Sequence, residues 1–469
     1  MQHPKTLRTA GRTVLATTVL VLGLSACAVG PNYQRPGTPD VSAFKEAEGW
    51  LPAAPADALE RGPWWRLFSD PVLDQLAARV DVSNQNVAQA VAAYAQARAL
   101  VREQRASLFP TVTLDGGANR SGSANVSPGN KYQLSMGGSW EPDVWGRLGR
   151  AVEGASASAQ ASAADLASAR LSAQGELAVN YLSLRHTDAQ KALLASTIAG
   201  YQRSLEITQN RYTAGISAKT DVLQAQTQLA NAQADDAGLL RQRAQLEHAI
   251  AVLVGEAPGN FTLTSADWSP VVPEVPVGLP STLLQRRPDI AAAERRVAVA
   301  NEQIGVAKSA YYPSLSLRAS YGLGASRAAD LFSASSSLWS IGLSAAQVLF
   351  NAGATGARVE GSEAAHARVV ASYRQTVLSA FRGVEDQLAA TRVLLTQQDL
   401  RRQASQAADQ VEQQVLNRYR SGQVSYTEVI TAQATALSAR RALVQVLADR
   451  QTTAVALIQS LGGGWQFGQ

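Results

Sequence analysis

The feature that most limits how this chain can fold is an internal duplication. The string NRYTAGISAKTDVL at 210–223 returns 207 residues later as NRYRSGQVSYTEVI at 417–430. The flanking features keep one order in both copies: a helical segment, an aromatic residue beside proline, two alternating segments, a long helical run and a glycine turn. Because this order persists over about 170 residues, we interpret the chain as repeat 1 (81–255) and repeat 2 (288–462), joined by a proline-rich segment (256–287).

Each repeat contains two segments with the two-residue period of a β-strand. In repeat 1, TVTLDGG and YQLSMGGSW alternate apolar with polar residues within 109–141. The string SGSANVSPGN (121–130) between them is predicted to be a polar loop. Repeat 2 has a matching strand pair within 313–350. Such strands suit a transmembrane β-barrel, although a sheet with one solvated face produces the same alternation.

Long helices are predicted between the strands and the repeated strings. Residues 151–210 contain few breakers and predict a helix of about 90 Å. Near its end, a coiled-coil seam with alternating spacings of four and three consists of Leu194, Ile198, Tyr201, Leu205, Thr208 and Tyr212. Gly215 and Gly422 then permit tight turns into returning helices. Each repeat therefore has a helical tip, at 210–221 and at 417–428.

Two strand pairs give only four strands per chain, which limits how the chain can meet a membrane. The smallest transmembrane barrels have about eight strands. An open sheet leaves unpaired backbone groups at its edges, and these cannot be satisfied in lipid. Cyclic assembly removes the edges, because two subunits supply eight strands and three supply twelve. Strand counting alone does not choose between these two assemblies.

The N-terminus has the form of a secretory signal. Residues 1–26 combine a basic start with an apolar run over 14–26, which is too short for a spanning helix. The formal net charge is +5, and removal of this segment takes away three basic residues, leaving +2. This small excess gives no reason to expect a nucleic-acid partner. After the signal, no apolar run is long enough to cross a membrane as a helix.

Cys27, the only cysteine in the chain, directly follows the signal. A lone thiol cannot form an internal disulfide, and LSAC at 24–27 resembles the lipobox of bacterial lipoproteins, in which the cysteine becomes the lipidated first residue. A multi-chain lipid anchor is stable where a single acyl chain is marginal. Ala28 follows, where an aspartate would resemble an inner-membrane retention signal, so we expect the outer membrane. After an extended segment (27–80), we expect a first helix over 81–107.

Four further strings accompany the lipobox: GPNYQRP at 30–36, GLPSTLLQRRPDI at 278–290, RYRSGQVSY at 418–426, and LGGGWQ at 461–466, which runs into a C-terminal tail (463–469). Together with the duplication, they make the whole chain resemble the TolC-like outer-membrane efflux proteins, specifically the lipidated OprM/NodT subgroup. The resemblance implies a homotrimer that forms a twelve-stranded β-barrel through the outer membrane and an α-helical tunnel across the periplasm.

The resemblance also implies the function. A protein of this family is the passive exit duct of a tripartite efflux pump, which exports drugs or other toxic small molecules and thereby contributes to antibiotic resistance. Its partners are a periplasmic adaptor protein and an inner-membrane transporter, for which the proton-driven RND class is the expectation. The sequence names neither the pump nor the exported substrates.

A gate at the tips is a further implication of the resemblance. Asp221 and Tyr419 match an aspartate and a tyrosine that lock the closed entrance of TolC, and Glu428 matches an acidic ring there. The positions of a gate arginine and of a second acidic ring carry Val424 and Thr431 instead. The lock is therefore expected to be weaker or differently made.

Arg418 and Arg420 are the candidate substitutes for the missing gate arginine. Gly215 and Gly422 are expected to leave an exposed notch that, by similarity to the family, receives the adaptor. The two tip acids also have a purely structural interpretation, because an acid in the first turn of a helix is stabilised by the helix dipole by about 0.3–1 kcal/mol.

Two other classes of function are alternatives to a channel. An enzyme has little support, because His186, His248 and His366 are scattered and have no metal-ligand spacing. No cofactor or metal is expected. A lipid-anchored coiled-coil structural or adhesin-like envelope protein without a pore would explain the long helices. It would not explain four membrane-like strands placed symmetrically in two repeats.

Overall fold

The computed structural model describes residues 28–38, 43–46, 63–124, 126–275 and 287–463. Its helices are α1 (Pro71–Ser83), α2 (Gln85–Ala106), α3 (Arg147–Thr213), α4 (Lys219–Leu253), α5 (Pro288–Lys308), α6 (Ala354–Arg420) and α7 (Tyr426–Ser460), and its strands are β1 (Thr111–Ser123), β2 (Val126–Trp140), β3 (Ser314–Ala325) and β4 (Ser337–Ala346). In this part of the chain, no helix combines the length and the apolar character needed to cross a membrane.

The duplication is present in the structure down to the length of the helices. Helices α3 and α6 each contain 67 residues, and α4 and α7 each contain 35. Glycines with positive φ precede or follow these helices at equivalent positions: Gly146 and Gly353, Gly215 and Gly422, and Gly255 and Gly462. All these equivalent positions lie 207 residues apart. The predicted pair of long helical hairpins and the four strands are confirmed.

The four strands form one antiparallel sheet in the order β1-β2-β3-β4. The first hairpin is longer than predicted, since Ser121 pairs with Gly129 and Ser123 with Val126. The register shifts between these two pairs, next to Pro128, which has no N–H to donate to the ladder. The prediction of a polar loop over 121–130 is therefore wrong. Backbone pairing continues beyond the apolar alternation, because it does not depend on side-chain polarity.

The sheet has one apolar and one polar face. Paired residues on neighbouring strands share a face, and the register places these residues together on the first face: Val112, Leu114, Leu134, Met136, Leu317, Tyr321, Leu323, Trp339, Ile341 and Leu343. The opposite face carries Thr111, Thr113, Ser135, Ser139, Ser316, Ser320, Ser340 and Ser344, with Leu338 as an apolar exception. Within one chain the apolar face is largely uncovered, and Trp339 is 76% exposed.

The first helices differ from the predicted extended segment (27–80) and single helix (81–107). Helix α1 already begins at Pro71, because Asp70 caps it by accepting hydrogen bonds from the Val72 and Leu73 amides. A break follows at Asn84, whose side chain accepts from two amides of α2 and donates to the Leu253 carbonyl at 2.8 Å. The prediction of an extended backbone is thus wrong for 71–80.

Five of the six residues of the predicted coiled-coil seam are buried or half-buried. Leu194 and Tyr201 pack with Ala232 and Leu239 of α4. Thr208 is fully buried, and its hydroxyl donates to the Ser204 carbonyl of its own helix. The last member, Tyr212, is 45% exposed, so the seam ends before the tip.

The chain forms two compact units, and each contains parts of both repeats. Unit 1 comprises the described residues up to Thr38 together with Ala93–Ala163 and Ala292–Gln375, and therefore contains the sheet. Unit 2 comprises the described parts of Pro39–Ala92, Ala164–Ala291 and Thr376–Gln469, and contains both tips. Neither repeat is a compact unit by itself, because each unit is assembled from segments about 200 residues apart in sequence.

Within unit 1, the GPNYQRP string lies in a groove that binds its backbone. The Arg150 guanidinium donates to the carbonyls of Gly30 and Pro31, at 3.2 and 3.1 Å. The same guanidinium forms a 2.7 Å ion pair with Glu302, and both side chains are less than 10% exposed. Gly30 has φ +108° and lies against Gly305, where a side chain would collide with backbone. This network, which we call the N-terminal clasp, fixes the chain close to the predicted lipid anchor.

Replacing Arg150 with methionine is expected to destabilise the protein by about 3–5 kcal/mol, because a buried Glu302 carboxylate loses its cation. The thermal unfolding temperature of the purified protein measures the effect. The double variant Arg150→Met/Glu302→Leu is the control and should recover most of the loss, since it leaves no unpaired buried charge. Equal unfolding temperatures for the single variant and the parent would contradict the importance of this ion pair.

Candidate functional site

The two helical tips have the same backbone structure. In the first tip, the Gly215 amide donates to the Tyr212 carbonyl at 2.9 Å and the Ile216 amide donates to the Arg211 carbonyl at 2.8 Å. Such a pair of bonds is the Schellman helix ending. Gly215 has φ +74°, and no atom lies within 4 Å of the position that a Cβ would occupy. The turn therefore requires glycine for its backbone conformation and not for lack of space.

The second tip repeats this geometry. The Gly422 amide donates to the Tyr419 carbonyl and the Gln423 amide donates to the Arg418 carbonyl, both at 2.9 Å. Gly422 has φ +76° and equally open surroundings. Both predicted tip glycines are thus exposed at tight turns between long helices.

The two predicted tip acids occupy equivalent places but different environments. Glu428 belongs to a capping box with Ser425, and its carboxylate accepts from the Ser425 amide at 3.4 Å. Asp221 stands at the same position of α4, where Ala218 replaces the capping serine and makes no side-chain cap. Glu428 is exposed and Asp221 is half-buried. The Glu428 carboxylate is therefore partly engaged in capping, whereas the Asp221 carboxylate has no capping partner among the described residues.

Tyr419 of the second tip contacts the first tip through Arg211, a residue that the sequence analysis did not select. Its ring is 5% exposed, and the Arg211 guanidinium lies 4.8 Å from the ring centroid. Arg211 also donates to the Tyr419 carbonyl at 3.1 Å. Asp221 makes no hydrogen bond to Tyr419, whose buried hydroxyl has no hydrogen-bond partner within the described part of the chain. We call this contact the Arg211–Tyr419 clasp.

A small hydrophobic cluster supports the clasp. Tyr419 packs against Tyr426 with ring centroids 5.4 Å apart, and Ala225 and Val429 complete the buried cluster. Burial, followed by the proximity of Tyr419, raises the pKa of Tyr426 to about 12. The Tyr426 phenol therefore stays neutral at physiological pH.

The duplicated counterparts of the clasp residues are not engaged in this way. Arg418 is equivalent to Arg211 and is exposed, and Tyr212 is equivalent to Tyr419 and is 45% exposed. Arg420 is exposed as well. The repeated N-R-Y string contained the signal for the clasp, but a sequence cannot show which of its two copies is buried.

The two positions that depart from the family gate have structural roles. Val424 is half-buried and packs against the Tyr419 cluster. The Thr431 hydroxyl donates to the Thr427 carbonyl of its own helix at 3.0 Å. Neither side chain carries a charge, so any charged contact between tips must come from other residues.

An open groove of about 960 Å³ runs beside the tips between α4 and α7. Leu223, Ile430 and Leu437 supply apolar walls. Arg441 and Asp235, which form an ion pair across the groove at 2.9 Å, also line it. The tips therefore offer turns, a groove and exposed cations to a partner.

The predicted lipid anchor at Cys27 and the predicted signal 1–26 are outside the described residues, which begin at Ala28. Among the described residues, no group of three or more His, Cys, Asp or Glu side chains could hold a metal ion.

Comparisons with known proteins give one consistent result. The family model described as "Outer membrane efflux protein" matches residues 76–256 and 279–463. The "Probable efflux pump outer membrane protein TtgC" of Pseudomonas putida is 32% identical over 97% of this chain and 96% of its own length. The "Cation efflux system protein CusC" of Escherichia coli is 28% identical over 95% and 98%. The solved structure of the outer-membrane channel OprN superposes with a TM-score of 0.87 at 30% identity, covering 94% of this chain and 100% of that one.

Arg211→Ala is expected to loosen the tips by about 1–2 kcal/mol, because it removes the contact with the Tyr419 ring and one hydrogen bond. Hydrogen exchange measured by mass spectrometry should show about ten-fold faster exchange around 415–424. Arg203→Ala, at an exposed position of the same helix, is the matched control and should leave the exchange unchanged. If both variants exchange like the parent, the clasp does not hold the tips together.

Proposed function

The chain belongs to the outer membrane efflux protein family, and from this premise we propose that it is the outer-membrane channel lipoprotein of a tripartite efflux pump. It provides a passive exit for small molecules collected from the periplasm and the inner-membrane transporter. The observation that carries the proposal is the four-stranded sheet with an uncovered apolar face and two unpaired edges.

The sheet supports cyclic assembly through its edges. Strands β1 and β4 form the edges, and strand direction alternates across the sheet, so β4 of one copy can pair antiparallel with β1 of the next. Three copies close a twelve-stranded barrel in which every backbone group is paired, as lipid requires. The apolar face then contacts lipid and the polar face lines the exit lumen.

The helices of unit 2 support the same arrangement. Helix α7 packs on α3 inside one chain, and Gln433 donates to the buried Ser204 hydroxyl at 3.3 Å. Large apolar side chains remain exposed on the other two long helices, with Leu240 and Val252 on α4 and Leu378, Val393, Leu395, Leu400 and Val411 on α6. We infer that α6 of one subunit packs against α4 of the next, which buries these residues in a continuous tunnel wall.

The proposals for the lipid anchor and the partner proteins rest on the family and on the sequence. Cys27 is the proposed lipidation site, after removal of the signal 1–26, and it anchors the protein in the outer membrane. The tip turns at Gly215 and Gly422, with the groove beside them, are the proposed contacts for a periplasmic adaptor protein. The pump is proposed to contain an inner-membrane transporter of the RND class.

The choice of exported substrates is proposed to lie mainly with the pump. One relative is named for cation efflux and another only as an efflux pump protein, so similarity selects no substrate. The relatives are efflux channels, and we propose no enzymatic activity and no cofactor for this chain.

Native mass spectrometry of protein purified from outer membranes tests the assembly and the anchor together. The expected mass is that of three chains that begin at Cys27 and each carry a triacyl modification. Cys27→Ser is the control and should lose the lipid mass. A lipidated monomer stable across detergents would contradict the barrel and favour a pore-free, lipid-anchored coiled-coil protein.

The gate is proposed to lie at the closed tips and to repeat the Arg211–Tyr419 clasp between subunits. A trimer has six helical hairpins around its entrance, in which the hairpins of repeat 1 and repeat 2 alternate. Within a subunit, Arg211 of the first hairpin contacts Tyr419 of the second. The equivalent contact between the second hairpin and the first hairpin of the neighbouring subunit joins Arg418 to the neighbour's Tyr212. The exposure of both residues in the single chain agrees with this assignment.

Three proposed gate residues remain around these contacts. Asp221 and Arg420 are free to form charged contacts between neighbouring tips, and Glu428 adds negative charge around the entrance. A ring of charged side chains at a constriction can both close a channel and select ions.

Arg418→Ala and Tyr212→Ala are each expected to favour the open entrance. Three contacts of about 0.7 kcal/mol amount to about 2 kcal/mol per trimer, which changes the open-to-closed ratio about 30-fold. Single-channel recording in planar bilayers measures this ratio. The double variant should gain no more than either single variant, and Arg401→Ala, at an exposed position further up α6, should gain nothing. Additive gains would show that the two residues do not contact each other.

A further inference from the structure

The polar face of the sheet carries few charges, and their placement is unequal. Within the described strands, this face contains Asp115 on β1, Lys131 on β2 and Arg318 on β3. The residues around them are mainly serine, threonine and glycine. Arg120, the basic residue of β1, lies on the opposite face of the sheet. Hydroxyl groups and glycines provide a wall with no net charge, so each charged side chain determines the potential near it.

Arg318 lies in a row of small residues near the helical end of the sheet. It is the fifth residue of β3, opposite Ser139 on β2 and Gly342 on β4, and Ser139 in turn pairs with Thr111. None of these neighbours is large enough to cover the guanidinium, and Arg318 is exposed. Its side chain is therefore open to the space in front of the polar face.

No carboxylate neutralises Arg318 within the described residues of the chain. The nearby Glu141 forms a 2.7 Å ion pair with Arg147. Asp115 lies four residues beyond Thr111 on β1, and it accepts a hydrogen bond from the Thr113 hydroxyl at 3.0 Å. An arginine side chain is charged at every physiological pH, so Arg318 presents a full positive charge.

We propose that three Arg318 side chains form a positive ring at the periplasmic end of the exit lumen, and that this ring favours the passage of anionic solutes. The inference rests on the proposed twelve-stranded barrel, which brings one Arg318 from each subunit to the same height. The ring gives the barrel lumen a preference for anions. This preference does not depend on the charged residues of the tips.

The expected size of the effect follows from Coulomb's law. A unit charge about 10 Å away in water changes the local concentration of a monovalent ion about two-fold, and salt at 0.1 M reduces this to about 1.3-fold. Three such charges together change it about 2.2-fold, raising the concentration of an anion and lowering that of a cation. The ratio of anion to cation concentration therefore changes about five-fold.

The rate of cysteine modification reports the electrostatic potential beside Arg318, and it does not require the proposed gate at the tips to open. Cys27 is the only cysteine of the chain, so the parent protein supplies the background and Ser320→Cys places one new thiol on the polar face, two residues from Arg318. The rates of reaction with the anionic sulfonatoethyl and the cationic trimethylammonioethyl methanethiosulfonates are compared in lipid vesicles. The anionic-to-cationic rate ratio should fall about five-fold in Ser320→Cys/Arg318→Gln.

Two controls separate the possible failures. Ser320→Cys/Arg120→Gln removes a positive charge from the opposite face and should keep the ratio of Ser320→Cys. Ala319→Cys places the thiol on the apolar face and should be protected by lipid from both reagents.

If Ala319→Cys reacts as fast as Ser320→Cys, the barrel itself is wrong, and the proposed function fails with it. If Ala319→Cys is protected but Arg318→Gln leaves the ratio unchanged, the barrel stands and the positive ring is overturned. The latter result is the one expected if Asp115 of a neighbouring subunit neutralises Arg318.

Discussion

The requirement that every backbone amide and carbonyl be paired in lipid governs the rest of this structure. A single chain supplies four strands, and the edges β1 and β4 each present a row of unpaired groups that hydrocarbon cannot satisfy. Only further copies of the chain can pair these edges in a closed barrel. The oligomer is therefore a condition for inserting the sheet, and the uncovered apolar face with Trp339 and Ile341 is the surface that the membrane stabilises.

The duplication supplies the matching helical wall. Two hairpins with helices of 67 and 35 residues place equivalent turns at Gly215 and Gly422, so neighbouring tips can lie at one level although they belong to different repeats. Each compact unit is built from both repeats, which means that neither repeat can bury its apolar residues alone. In an assembled ring the contact between two hairpins of one chain and the contact between two chains become similar.

The two copies of the repeat differ in the contacts that equivalent residues make at the helical tips. Arg211 and Tyr419 are packed together within the chain, whereas their counterparts Arg418 and Tyr212 remain exposed. Ser425 caps α7, but Ala218 leaves the start of α4 without a side-chain cap. The first pair stabilises the subunit, and the second pair is the one that, in the proposed gate, forms and breaks contacts between subunits. A gate needs weak contacts at its moving surface and strong ones within each moving part.

The sequence by itself determined the duplicated hairpins, the four strands and the glycine turns, because side-chain period and backbone requirements are local properties of the chain. It failed at two nearer places: the local cap at Asp70, which starts α1 at Pro71, was missed, and the polar residues of 121–130 gave no sign that β1 and β2 pair through them. The tertiary structure alone decided that Arg211 packs on Tyr419, 208 residues away, while Arg418 does not pack on Tyr212. Both copies have the same local sequence, N-R-Y, so only the three-dimensional neighbours of each copy could distinguish them.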